Sequence, residues 1–318
     1  MTGAIIAAAI VAFLITSFVF VTAGYCYIQA FHMPEKKKKL DPRTFYGSAD
    51  SDFCREPMVA LVNELLQIPC ETVSITSRDG LRLMGRLYRF SEEAKVEILF
   101  HGWHSSGLRD ASGGAMMARE YGYNVLIVDQ RSHGDSEGNT TTFGIKERYD
   151  CVDWVNFIIE RFGQDVKILL GGVSMGASTV LMASGLKELP PQVKGVTADC
   201  SFSSPEAIIR KVCRDRKIND RFGYPFLQFA AKFFGGFSLK DGGAVGAVKR
   251  AKVPIMIVHG EGDDFVPYSM GEEIFAACTG EKYFLSVPNA GHGLSYFYET
   301  ERYIKEVGDF KRRAFDRE

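Results

Sequence analysis

A short apolar stretch that turns directly into a helix constrains the fold of this chain more than any other feature. Ile168–Val173 has the pattern of a buried strand, its end forms part of Gly172-Val173-Ser174-Met175-Gly176, and a helical pattern follows over Ala177–Leu186. A strand can enter a helix this abruptly only where glycines flank the central residue, because a Cβ there would clash inside the turn. The pattern predicts that Ser174 stands clear above a sheet, in strained backbone geometry, as a nucleophile.

Short apolar runs alternate with helical stretches along most of the chain. Besides Ile168–Val173, the predicted strands are Thr72–Thr76, Leu83–Phe90, Val96–Phe100, Val125–Val128, Val196–Ala198, Ile255–Val258 and Tyr283–Val287. The predicted helices around the sheet include Gly114–Tyr121, Ile145–Arg161, Met270–Cys278 and Thr300–Phe310, with a short helix at Val59–Leu66 before it. This alternation predicts an α/β fold with a mostly parallel, doubly wound sheet.

One stretch, from Ser204 to Arg250, interrupts the alternation. It has no strand pattern, but it contains basic helical segments and an aromatic run from Phe222 to Phe237. Long segments between the elements of a compact domain are usually functional, so we interpret it as a small helical insertion over the active-site end of the sheet. A single oversized connecting helix is the alternative. The aromatic side chains fit an acyl pocket and an ordinary helix core equally well.

Two of the six histidines remain as candidates for the general base. Proteins built on such an elbow order their triad as serine, acid, histidine, which leaves His259 and His292. His259 follows a predicted strand directly, and only Asp199 would precede it as a strand-end acid. His292 lies in a loop of small residues after the last predicted strand, from which its imidazole can reach the elbow. The sequence favours His292, which would take the Ser174 proton and return it to the leaving group.

The acid of the triad must follow Ser174 and lie at the end of a strand. Asp263 and Asp264 follow one predicted strand, and Asp199 follows another. The acid accepts the second imidazole N–H, which fixes the tautomer and stabilises the imidazolium. Position alone leaves the three open, because a loop aspartate is more often a turn former than a catalyst.

Two backbone N–H groups are needed to stabilise the negative charge that develops on the substrate oxygen. Met175, directly after the nucleophile, is predicted to supply one. Trp103, in the loop after Val96–Phe100, is predicted to supply the other, with Gly102 allowing close approach. We interpret His101 and His104 in the same loop as structural hydrogen-bonding residues.

The N-terminal segment has the length and composition of a membrane anchor. Ala4–Ala23 is almost entirely apolar, no charged side chain precedes Glu35, and 20 helical residues span roughly the 30 Å of a hydrocarbon core. Tyr25 and Tyr27 then lie where an interfacial aromatic belt is expected. A buried core helix would rarely be this long without a polar stripe, and a cleaved signal peptide would carry positive charge before its apolar run. The sequence favours a retained anchor.

Four lysines, Lys36–Lys39, follow the apolar segment directly. By the positive-inside rule they place the catalytic domain on the cytoplasmic side, the alternative being an exported domain. The predicted organisation is an anchor at residues 1–33, a linker with a short helix at 34–70 and a catalytic domain at 71–318, in which 204–250 form the insertion.

Composition excludes some classes of partner. The formal net charge is −1 and no basic domain stands out, so the sequence gives no electrostatic reason to expect binding to nucleic acid. The seven cysteines lack the spacing of a zinc site and, being odd in number and dispersed, do not form a disulfide framework, although one Cys54–Cys70 bridge stays open for an exported domain. The predicted chemistry needs no metal and no organic cofactor, and the expected partners are the bilayer and a small-molecule or acylated substrate.

Five groups of motif residues follow one another along the chain: His101-Gly102-Trp103, Asp129-Gln130-Arg131-Ser132-His133-Gly134-Asp135-Ser136, Gly172-Val173-Ser174-Met175-Gly176, His259-Gly260 with Asp263 and Val266-Pro267, and Gly291-His292. Together they resemble the α/β-hydrolase superfamily from about Thr72 to Phe310, and within it the serine aminopeptidase S33-like hydrolases. The resemblance implies that Asp263 is the acid and that the turn containing His133 is structural. It also implies that an N-terminal anchor is a common companion of such a domain.

The expected function is hydrolysis of an ester, thioester or amide through an acyl-enzyme, most simply by a carboxylesterase. A peptidase is the alternative, although an aminopeptidase needs a carboxylate that holds the substrate amine, and the sequence does not place one. A non-catalytic binding protein on the same fold and a non-hydrolytic relative with the same triad are further alternatives.

Overall fold

The computed structural model describes residues 2–34, 40–45 and 47–317, and within them eight strands form one sheet. The strand order is β1-β2-β4-β3-β5-β6-β7-β8. The strands are β1 Glu71–Thr76, β2 Arg82–Tyr88, β3 Lys95–Phe100, β4 Asn124–Asp129, β5 Lys167–Val173, β6 Val193–Asp199, β7 Ile255–Gly260 and β8 Lys282–Val287. Each lies within a few residues of the strand that the sequence predicts.

The sheet is antiparallel at one end and parallel elsewhere. β1 pairs antiparallel with β2, and β2 with β4, whereas every pair from β4 through β3 to β8 is parallel. The predicted mostly parallel, doubly wound sheet is therefore confirmed. Because parallel strands bring their carboxyl ends to one edge, the loops after β3, β5, β6, β7 and β8 meet there.

Helices cover both faces of the sheet. They are α1 Thr2–Ala30, α2 Arg55–Gln67, α3 Gly107–Tyr121, α4 Glu147–Phe162, α5 Met175–Ser184, α6 Pro205–Asp215, α7 Asp220–Phe233, α8 Ala244–Val248, α9 Tyr268–Ala277, α10 Ser295–Tyr298 and α11 Thr300–Phe315, with a 3-10 turn at Ala49–Cys54 before α2. α3 begins seven residues before its predicted start. Ser106 caps it by accepting the Arg109 N–H at 3.3 Å, and burial of its small residues compensates for their weak helix propensity.

Three helices occupy the stretch from Ser204 to Arg250, so the reading of one oversized connecting helix is wrong. α6 begins at Pro205 after Ser204, whose hydroxyl accepts the Ala207 N–H, and α7 and α8 follow. We call residues 204–250 the insertion. The limits of the predicted anchor, linker and catalytic domain remain predictions.

α1 is long and apolar enough to cross a membrane. Its most apolar stretch of 18 residues has a mean hydropathy of 2.8, and no residue of that stretch is buried in the protein. The alternative of a buried core helix is therefore wrong. The carboxyl-terminal part contacts the domain, and Ala23 is fully buried there. Lys36–Lys39 lie outside the described residues, so the side of the membrane remains a prediction. All seven cysteines, Cys54 and Cys70 among them, are free thiols.

A buried ion pair joins α11 to the sheet. Lys311 Nζ lies 2.8 Å from Oε1 and 2.9 Å from Oε2 of Glu97 on β3, and both side chains are almost completely buried. A buried charge that loses its partner is strongly destabilising, whereas replacing both partners by apolar side chains is often neutral.

We expect Lys311→Met to lower the free energy of unfolding by about 3–5 kcal/mol, because it leaves the Glu97 carboxylate buried and uncompensated. Adding Glu97→Leu should recover most of that loss. Arg302→Met, which removes an exposed ion pair with Glu306, is the matched control and should change stability by no more than about 1 kcal/mol. Urea unfolding of the full-length chain in detergent measures all three. A Lys311→Met variant as stable as the control would contradict this account.

Candidate active site

The elbow between β5 and α5 holds Ser174 in strained geometry. Its backbone has φ 56° and ψ −115°, outside the regions that non-glycine residues favour. The flanking glycines permit a close crossing of chains. A Cβ on Gly172 would lie 2.4 Å from the Gly176 carbonyl carbon, and one on Gly176 would lie 2.1 Å from the Phe100 carbonyl oxygen. The strained turn with two closely packed glycines that the sequence predicts is therefore present in the structure.

The structure brings the three predicted triad side chains together. His292 Nε2 lies 2.9 Å from Ser174 Oγ, and His292 Nδ1 lies 2.7 Å from Asp263 Oδ2. His292 comes from the loop after β8 and Asp263 from the loop after β7, so two neighbouring strand ends deliver the pair. The Asp263 side chain is fully buried, whereas a quarter of the His292 side chain is exposed. A carboxylate shielded from water orients the imidazole most firmly.

The hydrogen bonds around Asp263 keep its carboxyl group ionised. Oδ1 accepts the N–H groups of Phe265 at 3.0 Å and Val266 at 2.8 Å, while His259 Nε2 lies 3.5 Å from Oδ2. Burial by itself raises the pKa of Asp263, but the hydrogen bonds to His259 and His292 outweigh it and lower that pKa to about 2. An anion at this position can accept the Nδ1–H of His292 throughout the neutral range.

His259 has a role that the sequence analysis missed. It was considered there as an alternative base, yet its ring is fully buried beside Asp263, and Nε2 also bonds the Val266 carbonyl at 2.9 Å. The sequence contained a signal for this role, since His259 lies near the end of β7, four residues before Asp263. Only the fold of the loop shows that this spacing brings the two side chains together.

The other acid candidates lie in different surroundings. Asp264 is exposed, and its backbone carbonyl accepts a hydrogen bond from Lys211. Asp199 ends β6 in a buried position, where Oδ1 accepts the Ser295 hydroxyl at 3.2 Å. Burial raises the pKa of Asp199 to about 6, against the opposing influence of His259. Asp199 also contributes its backbone carbonyl, which accepts the Ser174 N–H at 2.8 Å.

Met175 and Trp103, the two predicted oxyanion donors, lie close to Ser174. Met175 opens α5, where the N–H groups of the first turn have no acceptor in the helix. Trp103 follows Gly102, whose own N–H is engaged by Asp110 Oδ2 at 2.8 Å. Within the described part of the chain, the N–H groups of Met175 and Trp103 have no hydrogen-bond acceptor. A Cβ on Gly102 would lie 3.3 Å from the Ser174 Cβ, so this loop lies against Ser174.

The histidines next to this loop form a structural network. His101 Nε2 accepts the Gln130 N–H at 3.1 Å, and His133 Nε2 accepts the His104 N–H at 3.3 Å. Burial lowers the pKa of His133, which agrees with a neutral ring that accepts a backbone N–H. These contacts fix the loop after β3 to the turn after β4.

Two cavities meet at Ser174, and Trp103 and Phe265 line both. The first has a volume of about 480 Å³, and we call it the α3 cavity. The second has a volume of about 340 Å³, and we call it the insertion cavity. Polar side chains line much of the first, among them His104, Ser105, Asp110 and Tyr296. Apolar side chains line most of the second, among them Phe143, Phe202, Ile208, Ile209 and Leu227.

One group of possible metal ligands coincides with this site. Among the described residues, ligand atoms of Cys200, Asp263 and His292 lie within 4.8 Å of one another. Both ring nitrogens of His292 are already engaged with Asp263 and Ser174. A metal ion on this group would therefore compete with the contact between His292 and Ser174.

Comparisons with known proteins define the class. Residues 98–307 match the family model described as the alpha/beta hydrolase family, so the chain belongs to that family. The match spans the elbow, the loop that carries Asp263 and the loop that carries His292. It is a match to the family in general, and the closer likeness to serine aminopeptidase S33-like hydrolases remains a prediction.

The individual relatives are distant. The chain is 28% identical over 192 residues to the uncharacterized protein YqkD of Bacillus subtilis, covering 60% of this chain and 63% of that protein. It is 26% identical over 210 residues to the lysophosphatidylserine lipase ABHD12 of Macaca fascicularis, covering 59% of this chain and 48% of that protein. Each alignment thus spans less than two thirds of the relative.

Solved structures share the fold. The esterase Pf2001 of Pyrococcus furiosus superposes with a TM-score of 0.64 at 23% identity, covering 79% of this chain and 94% of that one. At this identity the likeness shows the fold alone. The likeness therefore supports the position of the carboxyl edge of the sheet, and the chemistry of the site follows from the side chains of this chain alone.

The two buried aspartates give a direct test of which carboxylate orients His292. We expect Asp263→Asn to slow the reaction of Ser174 with a fluorophosphonate by on the order of 10³–10⁴-fold, because the imidazole loses its acceptor and its tautomer. Asp199→Asn, the matched control, should lower the rate less than about ten-fold, since Asp199 contacts Ser295 rather than His292. The reverse order of the two effects would make Asp199 the acid.

Proposed function

We propose that this α/β-hydrolase is a serine hydrolase that cleaves esters through an acyl-enzyme. Ser174 is the nucleophile, His292 the general base and acid, and Asp263 the carboxylate that orients the imidazole. The observation that carries the proposal is the single imidazole that lies 2.9 Å from the serine hydroxyl and 2.7 Å from the buried carboxylate. Contacts of this length are within proton-transfer distance.

In the first half of the reaction, Ser174 Oγ attacks the carbonyl carbon of the ester while His292 Nε2 accepts its proton. The carbonyl oxygen becomes an oxyanion that the N–H groups of Met175 and Trp103 stabilise. The imidazolium is stabilised by the ionised Asp263 carboxylate. Collapse of the tetrahedral intermediate breaks the bond to the leaving alcohol, which takes the proton from His292.

In the second half, water takes the place of the alcohol. His292 removes a proton from the water, whose oxygen attacks the acyl carbonyl, and the same two N–H groups stabilise the second oxyanion. Collapse then frees the acid and returns the proton to Ser174. Thioesters and amides pass through the same steps with a different leaving group.

An ester fits the site better than a peptide with a free amino terminus. An aminopeptidase needs a carboxylate that is available to bind the substrate amine. Asp110, in the α3 cavity, lies 2.9 Å from Arg109 and accepts the Gly102 N–H, and Asp215, in the insertion cavity, pairs with Lys211 at 2.6 Å. Asp199 is buried beneath Ser295. The name of the relative from Macaca fascicularis denotes a lipase, which agrees with ester chemistry.

We also propose that α1 is retained as a single-pass anchor and that the catalytic domain lies on the cytoplasmic side. The apolar length of α1 supports the first part, and the lysines that follow in the sequence support the second.

Labelling with a fluorophosphonate tests the proposal. The full-length chain in detergent should be labelled once, Ser174→Ala should not be labelled, and His292→Ala should react on the order of 10²–10⁴-fold more slowly. Ser178→Ala, which changes a buried serine one turn further along α5, is the matched control and should be labelled at the rate of the unmodified chain. Labelling that survives in Ser174→Ala would place the nucleophile elsewhere, and a folded chain that resists labelling would favour a binding protein.

A further inference from the structure

The carboxyl-terminal end of α1 is fixed to the catalytic domain. Just after the helix, the Met33 N–H donates to the Asn139 carbonyl at 2.8 Å, and the Thr141 N–H donates to the Phe31 carbonyl at 2.9 Å. The Phe31 ring is buried in edge contact with Phe143 and Phe237. α1 is therefore docked on the domain rather than connected to it by a free linker alone.

The docked end of α1 forms one wall of the insertion cavity. Tyr25, Cys26, Gln29 and Ala30 line this cavity together with side chains of α6 and the catalytic serine. A helix that has the composition of a membrane anchor thus contributes directly to the site at which the nucleophile acts.

The insertion cavity changes in character from one end to the other. Around Ser174 and Met175 its walls are buried, and most are apolar, including Phe202 and Ile208. Apart from Ser174, its strongly polar side chains are Gln29, Asp215 and Arg216, which are exposed and so lie at its open end. An apolar channel with a polar mouth suits an alkyl chain.

The position of α1 brings the mouth of this cavity to the membrane surface. Near the end of its apolar run, Phe18 contacts Phe226, and Phe20 contacts Phe229 and Phe233 of α7. A bilayer that covers about 20 residues of α1 therefore reaches α7.

The exposed surface of the insertion agrees with contact to lipid. Outside α1, the described residues include seven large apolar side chains that are exposed, and four of these lie between 218 and 234, namely Ile218, Phe222, Phe233 and Phe234. Exposed apolar side chains concentrated in one segment mark a surface that binds something apolar. Arg216, Lys217 and Arg221 lie beside them, where they can meet anionic headgroups.

We propose that the substrate is a long-chain acyl ester held in the membrane, whose acyl chain enters the insertion cavity between α1 and the insertion. This inference rests on the proposed function and adds its substrate class. The chain lies along Cys26 and Ile209 with its carbonyl carbon at Ser174, and the headgroup alcohol leaves through the α3 cavity, whose walls offer hydrogen-bonding groups. The bond between the acyl carbon and the alcohol oxygen breaks as the bond to Ser174 Oγ forms.

Filling the wall that α1 provides tests the position of the acyl chain. Cys26→Trp fills part of the wall that α1 provides without replacing a triad residue, so turnover of a water-soluble butyrate ester and labelling by a small fluorophosphonate should fall much less than turnover of a palmitate ester. Turnover of the palmitate ester should fall by about ten-fold or more, the change expected when two or more methylenes are left in water. Ile28→Trp, on the exposed side of the same helix, is the matched control and should preserve both activities.

The outcomes separate the two proposals. If the unmodified chain resists labelling, the proposed function fails. If it is labelled but Cys26→Trp leaves the ratio of palmitate to butyrate turnover unchanged, only the position of the acyl chain is wrong. Should Cys26→Trp lose labelling as well, Gln29→Trp at the exposed mouth replaces it, and an unchanged ratio there overturns the inference.

A second experiment tests entry from the bilayer. Phe222→Glu replaces an exposed ring of the insertion by a carboxylate, which weakens contact with the bilayer. Hydrolysis of a long-chain fluorogenic ester in vesicles of phosphatidylcholine and phosphatidylglycerol should therefore fall by at least about ten-fold. Hydrolysis of the soluble butyrate ester should not change. Leu66→Glu, at an exposed apolar position on α2, is the control and should preserve both. Equal vesicle activity in Phe222→Glu and in Leu66→Glu would show that the acyl chain does not enter beside α7.

Discussion

The strained backbone of Ser174 is the constraint on which the site depends. A non-glycine residue in such a conformation costs about 1–3 kcal/mol and persists only where its surroundings over-determine it. Here the Ser174 N–H donates to the Asp199 carbonyl at 2.8 Å, and its own carbonyl accepts the Ser178 N–H at 3.0 Å. Gly176 meets the end of β3 with no room for a side chain. Three adjacent parallel strands and one helix therefore hold the hydroxyl where a substrate carbonyl can approach it.

The remaining parts of the site follow from that position. The loop after β3 lies against the elbow and offers the Trp103 N–H, while the loops after β7 and β8 deliver Asp263 and His292 from the other side. Because Trp103 and Phe265 line both cavities, Ser174 lies between a cavity whose walls include several polar side chains and one whose walls are mostly apolar. An ester has the same two-part character, with an alkyl chain on one side of its carbonyl and an alcohol on the other.

Local patterns were sufficient to predict the sheet and the identity of the triad candidates. The strands are short apolar runs, and the elbow needs two glycines within five residues, so both are visible without tertiary information. The choice among Asp263, Asp264 and Asp199 was not visible from position. It depends on which carboxylate the loop after β7 turns inward, and in the structure Asp263 is buried while Asp264 is exposed. The support of Asp263 by His259 is likewise a property of the folded loop.

The role of the aromatic run in the insertion also could not be predicted from the sequence alone. The sequence left its role open between an acyl pocket and a helix core, because periodicity reveals an apolar face but not what covers it. In the structure, Phe226, Phe229 and Phe233 meet α1, whereas Leu227 is the residue of α7 that lines the insertion cavity. Removing α1 would uncover those rings and open a wall of the cavity, so α1 and the insertion form one structural unit.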